Sequence, residues 1–309
     1  MITRRHALKN LGLAACGTFA LPALATRTSK DKPAVSYCLN TSTIRGQNRG
    51  FSGEFDISSR AGYSGIEIWM DPLNKFLESG GNLKDVAMKA ADLGLTIENA
   101  IGFARWIVDD EPVRLKALEQ LRKEMGMLAR IGCRRIAAPP MGAHQQPGLD
   151  LEKAAVRYRE ILEIGRKEGV MPQLEFWGGA ASLHSLGQAL HVAAAANDPD
   201  ARILPDIYHL HRGGSGFESL SLLAPGVVEV FHVNDYPGHI PREKLNDSDR
   251  VYPGEGVAPV RKVIGDMLRK GAPVVLSLEL FNENYWKLDA LEAAKRGLEK
   301  MQQIVSECT

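Results

Sequence analysis

Hydrophobic positions along this chain follow two alternating patterns. Short apolar runs recur at wide intervals, and between them lie longer stretches whose apolar residues return every third or fourth position. The short runs begin near Val35 (VSYCLN), Gly65 (GIEIWM), Leu95 (LTIENA), Arg135 (RIAAPP), Pro172 (PQLEFW), Arg202 (RILPDIY), Val228 (VEVFHVN) and Val274 (VVLSLEL). Their starts stand 26 to 46 residues apart, whereas hairpin strands would recur about every 8–12 residues. That cadence belongs to βα units. Several runs are apolar on both faces, as parallel strands are when helices cover them outside and neighbours fill them inside.

The longer stretches read as amphipathic helices. Glu111–Ile131 places Val113, Leu115, Leu118, Leu121, Met125, Leu128 and Ile131 on one stripe, and residues 151–168, 257–270 and 286–304 behave alike. Gly132, Gly169 and Gly271 each follow a helix and precede a strand, where a left-handed turn suits glycine. Eight such units predict an α/β fold, a single (β/α)8 TIM barrel over residues 34–309. A doubly wound sheet with fewer strands is the competing arrangement. No linker, charge block or low-complexity stretch divides this region.

The first 25 residues break the pattern. Thr3-Arg4-Arg5-His6-Ala7-Leu8-Lys9 precedes an uncharged stretch from Leu11 to Ala25 that ends in Ala23-Leu24-Ala25, a small-x-small cleavage pattern. A charged head, a short apolar run and small residues before a cut make a secretory signal, with residues 26–33 as a flexible mature N-terminus. The paired arginines resemble a twin-arginine (Tat) signal, with Ala7 where that motif usually has Phe. The expected location is periplasmic or otherwise exported. Leu13-Ala14-Ala15-Cys16 also fits a lipobox, which would leave a membrane-anchored lipoprotein at Cys16. The apolar run is shorter than the roughly 20 residues a membrane span needs.

Composition narrows the function by exclusion. Of 309 residues, 44% are hydrophobic and 24% charged, and 38 Lys+Arg offset 37 Asp+Glu for a formal charge of +1. A nucleic-acid partner would call for a broad cationic field, which is missing. The cysteines Cys16, Cys38, Cys133 and Cys308 stand too far apart for a C-x-x-C site. Cleavage after Ala25 leaves three, so a complete disulfide set is excluded.

Chemistry enters where the strands end. Four consecutive predicted strands run from apolar residues into a metal-ligand type: Glu175 on the fifth, Asp206 on the sixth, His232 on the seventh and Glu279 on the eighth. A carboxylate or imidazole at a buried strand end is costly unless paired or metal-bound, and barrel strand ends converge on one axis. Three oxygen donors and one imidazole suit one divalent ion, Mn²⁺ first, with Mg²⁺, Co²⁺ and Zn²⁺ as alternatives.

The order Glu175, Asp206, His232, Glu279 resembles the xylose isomerase-like TIM-barrel superfamily of sugar isomerases and epimerases, which includes ketose 3-epimerases, inosose dehydratases and hydroxypyruvate isomerases. Asp206-Ile207-Tyr208-His209 is close to its Asp-x-x-His signature, and His232-Val233-Asn234-Asp235 and Tyr252-Pro253-Gly254-Glu255-Gly256 resemble the segment after the histidine ligand. The resemblance covers essentially the whole mature chain, from the Gly62–Ile68 segment to Glu279-Leu280-Phe281-Asn282. It implies that Glu175 and Glu279 act as the acid/base pair and that Asp206 binds metal while His209 contacts a substrate oxygen. Metal ligation lowers a carboxylate's basicity, so only a ligand with a free lone pair could fill both roles. One departure concerns the arginine that follows the histidine by six residues in ketose 3-epimerases: position 238 is Gly. Arg242 and Arg250 lie in a longer loop, Tyr236 to Val251, with Arg242 as the substrate-binding candidate, so the sugar cannot be carried over.

Further candidates for substrate binding are Glu67, His144 and Trp177; Glu67 and Glu98 could equally form ion pairs inside the barrel. The expected function is a divalent-metal-dependent sugar isomerase or epimerase working by α-proton abstraction through an enediolate. A metal-dependent lyase or dehydratase acting on keto-sugars or 3-keto-glycosides is the alternative, and a non-catalytic carbohydrate-binding barrel a third reading. The expected partner is a small sugar or keto-sugar, without nucleic acid or membrane span; a homodimer or homotetramer is plausible.

Overall fold

The computed structural model describes residues 35–308, so the expected signal segment, Cys16 and residues 26–33 lie outside the described residues. Eight parallel strands follow the predicted order: β1 (Val35–Asn40), β2 (Gly65–Trp69), β3 (Thr96–Ile101), β4 (Arg135–Ala138), β5 (Met171–Glu175), β6 (Ile203–Leu204), β7 (Val230–Val233) and β8 (Val274–Leu278). Ladders run β3-β2-β1-β8-β7 and β4-β5-β6. A parallel bridge between Asp206 and His232 joins β6 to β7, and β3 lies beside β4, which closes the cylinder.

The connecting helices are α1 (Gly50–Ala61), α2 (Met70–Glu78), α3 (Leu83–Asp92), α4 (Glu111–Arg130), α5 (Leu151–Glu168), α6 (Leu186–Ala195), α7 (Ile207–Arg212), α8 (Val260–Arg269) and α9 (Ala290–Ser306). Asp110 and Asp150 cap α4 and α5 with side-chain oxygens on the free N–H groups of the first turn. Gly169 closes α5 at φ +77°, a conformation that costs glycine nothing.

Three predicted boundaries shift, each for a local reason. The sixth run stops after two residues because Pro205 has no N–H to give a ladder and Asp206 caps α7 instead. The helix expected from 257 begins at Val260, after Pro259. The one expected from Trp286 opens as a 3-10 turn, Tyr285–Lys287, and α9 starts only where Asp289 accepts the N–H groups of Leu291 and Glu292.

Strand alternation separates two interiors. Leu39, Ile66, Ile68, Phe231, Val233, Leu276 and Leu278 pack outward against the helices in the main core. Cys38, Ile101, Ala137, Leu204, Val230 and Val275 form a smaller apolar group of their own. On β7 and β8 this group alternates with the outward set, so these residues point into the barrel. The same inward parity holds Asn40, Glu67, His232 and Ser277, all fully buried.

Candidate metal centre and cavity

Glu67 sits at the heart of the polar interior, with every lone-pair direction used. Its Oε1 accepts from Asn99 Nδ2 (2.7 Å) and lies 3.0 Å from His232 Nε2; its Oε2 accepts from Asn40 Nδ2 (2.8 Å) and Ser277 Oγ (2.6 Å). Burial alone would raise its pKa, but His232 and these hydrogen bonds outweigh burial and hold the carboxyl below its ordinary value. With Glu67 on Nε2, the His232 ring is fixed so that Nδ1 faces the strand ends.

Nδ1 is buried and has no hydrogen-bond partner. It lies 3.2 Å from Glu279 Oε2 and 3.8 Å from Asp206 Oδ2. Burial disfavours charge on this ring, yet the Glu279 and Glu67 carboxylates prevail and push its pKa well above the ordinary imidazole value. Asp206, His232 and Glu279 each bring a ligand atom within 4.8 Å of the others. An orphaned imidazole nitrogen between two buried carboxylates is a donor set that fits a divalent cation, and the Glu67–His232 hydrogen bond is the outer support such ligands use. These three residues would hold the ion.

Local sequence explains the placement. Asp206 has extended backbone at the start of α7, and its Oδ1 accepts the His209 N–H at 2.8 Å. The Asp-x-x-His spacing is thus a helix cap that brings both side chains to one rim. Asp206 Oδ2 accepts from Asn234 Nδ2 (2.8 Å), and Asn234 Oδ1 accepts the Tyr208 N–H (2.9 Å). Asp235, buried just beyond, accepts the N–H groups of Tyr236, Gly254, Gly256 and Ala258 and so staples down the returning loop. A Cβ at Gly256 would run into the Tyr236 carbonyl and the Asp235 carboxylate.

A cavity of about 330 Å³ opens beside this cluster, with Glu279 alone of the three candidate ligands in its lining. Its polar side chains are Glu175, Glu279, His209, His144, Asp247 and Arg250, and its walls include Trp69, Phe103, Trp177 and Phe281. Trp69 sits 5.5 Å from Phe103 and 6.0 Å from Phe281 between ring centroids. Asn40 ties this wall to the centre, accepting from Trp69 Nε1 (2.8 Å) while donating to Glu279 Oε1 (3.0 Å).

Glu175 lines the same cavity but stands outside the tight group of three ligands. It is 4% exposed. Burial, reinforced by the Glu279 and Asp206 carboxylates and opposed by His232, pushes its carboxyl up to about 8. His209 is buried and held below the ordinary imidazole pKa, chiefly by desolvation. Its Nδ1 lies 3.2 Å from the Gly178 N and its Nε2 3.4 Å from Arg250 Nη2, so a donor faces each ring nitrogen.

The remaining expected contacts divide. His144 and Trp177 line the cavity, edge to face at 5.3 Å. Glu67 lies beneath it, engaged with His232. Glu98 pairs with Arg135, which opens β4 at the opposite end of the strands. Arg242 is exposed in the turn Arg242–Lys244, outside the cavity lining, because that turn carries it onto the surface beside Gly214. Of the two arginines of this loop, Arg250 is the one that lines the cavity. Sequence reasoning missed Asn40, Asn99, Asn234 and Ser277, whose only signal was polarity at inward positions of otherwise apolar runs.

A closed ring of parallel strands with a carboxylate–imidazole cluster at its carboxyl ends defines a (β/α)8 barrel with a candidate metal centre. The chain belongs to the xylose isomerase-like TIM-barrel family, whose profile matches residues 55–304. An inosose isomerase from Bacillus velezensis is 26% identical over 275 residues, covering 87% of this chain and 96% of the relative. A crystal structure of the IolI protein with a bound zinc atom superposes with a TM-score of 0.82 at 24% identity, covering 89% and 99% of the two chains. A structure of L-ribulose 3-epimerase superposes with a TM-score of 0.70 at 16% identity, covering 89% and 95%. Among the described residues no helix is long and apolar enough to cross a membrane.

Proposed function

We propose that the chain is a divalent-metal-dependent isomerase or epimerase of a small polyhydroxy ketone or sugar, acting by removal of a proton from the carbon beside a carbonyl. The observation that carries this reading is Glu175: a buried carboxyl that lines one cavity with Glu279 of the Asp206–His232–Glu279 cluster, yet is not part of that cluster. When bound, the ion would supply positive charge where negative charge develops on oxygen as the proton leaves. In its ionised form Glu175 takes the proton and in its protonated form it returns it, both open to a carboxyl whose pKa lies near neutrality. Glu279 has its oxygens engaged by Asn40 and Arg250, so it serves first as a ligand and second as the partner carboxylate across the site. His209 contacts a substrate oxygen. The aromatic wall takes the C–H face of the substrate and keeps water from the carbanion side.

The inosose isomerase and ketose epimerase relatives support this chemistry, and the zinc-bound relative supports the metal. Incubation of the Mn²⁺-loaded protein with inososes, ketoses and 3-keto-glycosides, with products weighed by mass spectrometry, tests it. Isomerisation or epimerisation conserves mass. Loss of water or of an aglycone would instead establish the lyase reading, which starts from the same proton abstraction. We further propose export through the Tat route on the strength of Arg4-Arg5 and the Ala23-Leu24-Ala25 cleavage pattern; fractionation of cells carrying Arg4→Lys and Arg5→Lys should find the protein retained inside.

A further inference from the structure

The two carboxylate oxygens that a cation would share are already shared by a side chain. Arg250 Nη1 donates to Asp206 Oδ2 at 2.9 Å and to Glu279 Oε2 at 2.8 Å. These same oxygens face the unpartnered His232 Nδ1. The arginine is 1% exposed, and its Cζ lies 4.4 Å from the Tyr208 ring centroid and 5.0 Å from that of Phe281. Nη2 donates to Asp247.

Its backbone is equally fixed. Asn282 Nδ2 donates to the Arg250 carbonyl at 2.9 Å, and the next residue, Val251, bridges to Asp235. A guanidinium placed with this precision is a built part of the centre. Two buried carboxylates left facing each other without a cation would be strongly destabilising, and Arg, unlike Lys, stays charged in any such environment. A divalent ion approaching the same oxygens meets a like charge and a competitor for their lone pairs.

We infer that Arg250 is a resident cation of this centre: it holds Asp206 and Glu279 in place in the metal-free protein and limits metal affinity by competing for the same two oxygens. This inference rests on the reading of Asp206, His232 and Glu279 as metal ligands. It makes Arg250 a positioning residue for the ion.

The test uses the full chain, stripped with chelator, as wild type, Arg250→Gln and Arg250→Lys. Mn²⁺ binding is measured by calorimetry, and Tm is read with and without Mn²⁺. Arg250→Gln removes the charge and should bind Mn²⁺ about tenfold tighter or more, because a like charge at contact distance is gone. Its metal-free Tm should fall further below wild type than its Mn²⁺-loaded Tm does. Arg250→Lys keeps a cation only while its buried ammonium stays protonated, so its Kd for Mn²⁺ should lie between those of wild type and Arg250→Gln. Equal or weaker Mn²⁺ binding by Arg250→Gln would overturn the inference, as would equal loss of Tm in the metal-free and loaded forms. If Arg250→Gln does not fold without metal, recovery of its circular dichroism spectrum on adding Mn²⁺ supports the inference, and failure to recover overturns it. Absence of Mn²⁺ binding by the wild type would sink the metal-centre reading and the inference together; binding by the wild type without tightening in Arg250→Gln sinks the inference alone.

Discussion

The two ends of the barrel use the same residue types to opposite effect. Near the amino ends of the strands, Arg135 donates to Glu98 and Glu229, and Arg202 donates to Glu229 (3.0 Å). Two arginines meet two glutamates, all partly exposed or close to solvent, so each charge is matched by another. At the carboxyl ends, Glu67, Asp206, Asp247 and Glu279 pair with His232 and Arg250, and burial pushes the further carboxyl of Glu175 up to about 8. One end is balanced and the other is short of positive charge. The balanced end holds the fold together; the unbalanced end keeps unmet demand for a cation, the division of labour expected of a barrel.

Breaking the unbalanced end should give the largest effect. His232→Ala removes the one nitrogen donor and should weaken Mn²⁺ binding by more than the roughly 10–100-fold that loss of an outer partner costs, as read by calorimetry. Glu67→Gln should fall within that range, about 10–100-fold, because the ring loses its charged anchor while keeping both ligand oxygens nearby. Equal effects from both substitutions would mean that Glu67 is more than a support.

At the balanced end, Arg135→Met leaves Glu98 and Glu229 short of a donor and should cost about 1–3 kcal/mol of stability. Chemical denaturation checks this. Mn²⁺ affinity and turnover should stay at wild-type values, and a loss of either would show that the two ends are coupled.

The smallest effect lies outside both ends. Glu54 on α1 has a buried, unpartnered Oε2, and burial raises its carboxyl to about 7 against the pull of Arg45. A carboxyl that binds its proton more tightly when folded stabilises the fold fully below its unfolded value near 4.5. That contribution is lost as pH rises from there through about 7. Glu54→Gln should therefore raise Tm at pH 8, change it little at pH 4, and flatten the slope between.

Much of this was legible in the sequence, and what was not has physical reasons. Eight strands announced themselves because parallel strands buried on both faces must be apolar, and glycines marked the returns. Glu175, Asp206, His232 and Glu279 stand out alike because each ends an apolar run, and only the structure separates Glu175 from the cluster of the other three. Glu67 is visible as a buried carboxylate, but its partner is 165 residues away, so substrate contact and an ion pair inside the barrel stay equally open in the sequence. Asn40, Asn99 and Ser277 hid because a polar residue at every second strand position looks the same whether it faces water or a barrel interior. Arg250 hid in Asn246-Asp247-Ser248-Asp249-Arg250, a polar loop without period that gives no sign of burial. The Asp235 staple on the flanking segment and the Asn282 amide on the Arg250 carbonyl hold that loop inward, contacts far apart in sequence.

The central claim is that Glu175 moves a substrate proton beside a metal held by Asp206, His232 and Glu279. Its most direct test is solvent exchange: the Mn²⁺-loaded protein and its Glu175→Gln variant are incubated with an inosose or a ketose in D₂O, and C–H loss beside the carbonyl is followed by NMR. The account predicts deuterium incorporation by the wild type, slowed about 10²–10⁴-fold in Glu175→Gln, with Mn²⁺ still bound to the variant. Undiminished exchange in Glu175→Gln, or loss of Mn²⁺ from it, would contradict the separation of proton carrier from metal ligands.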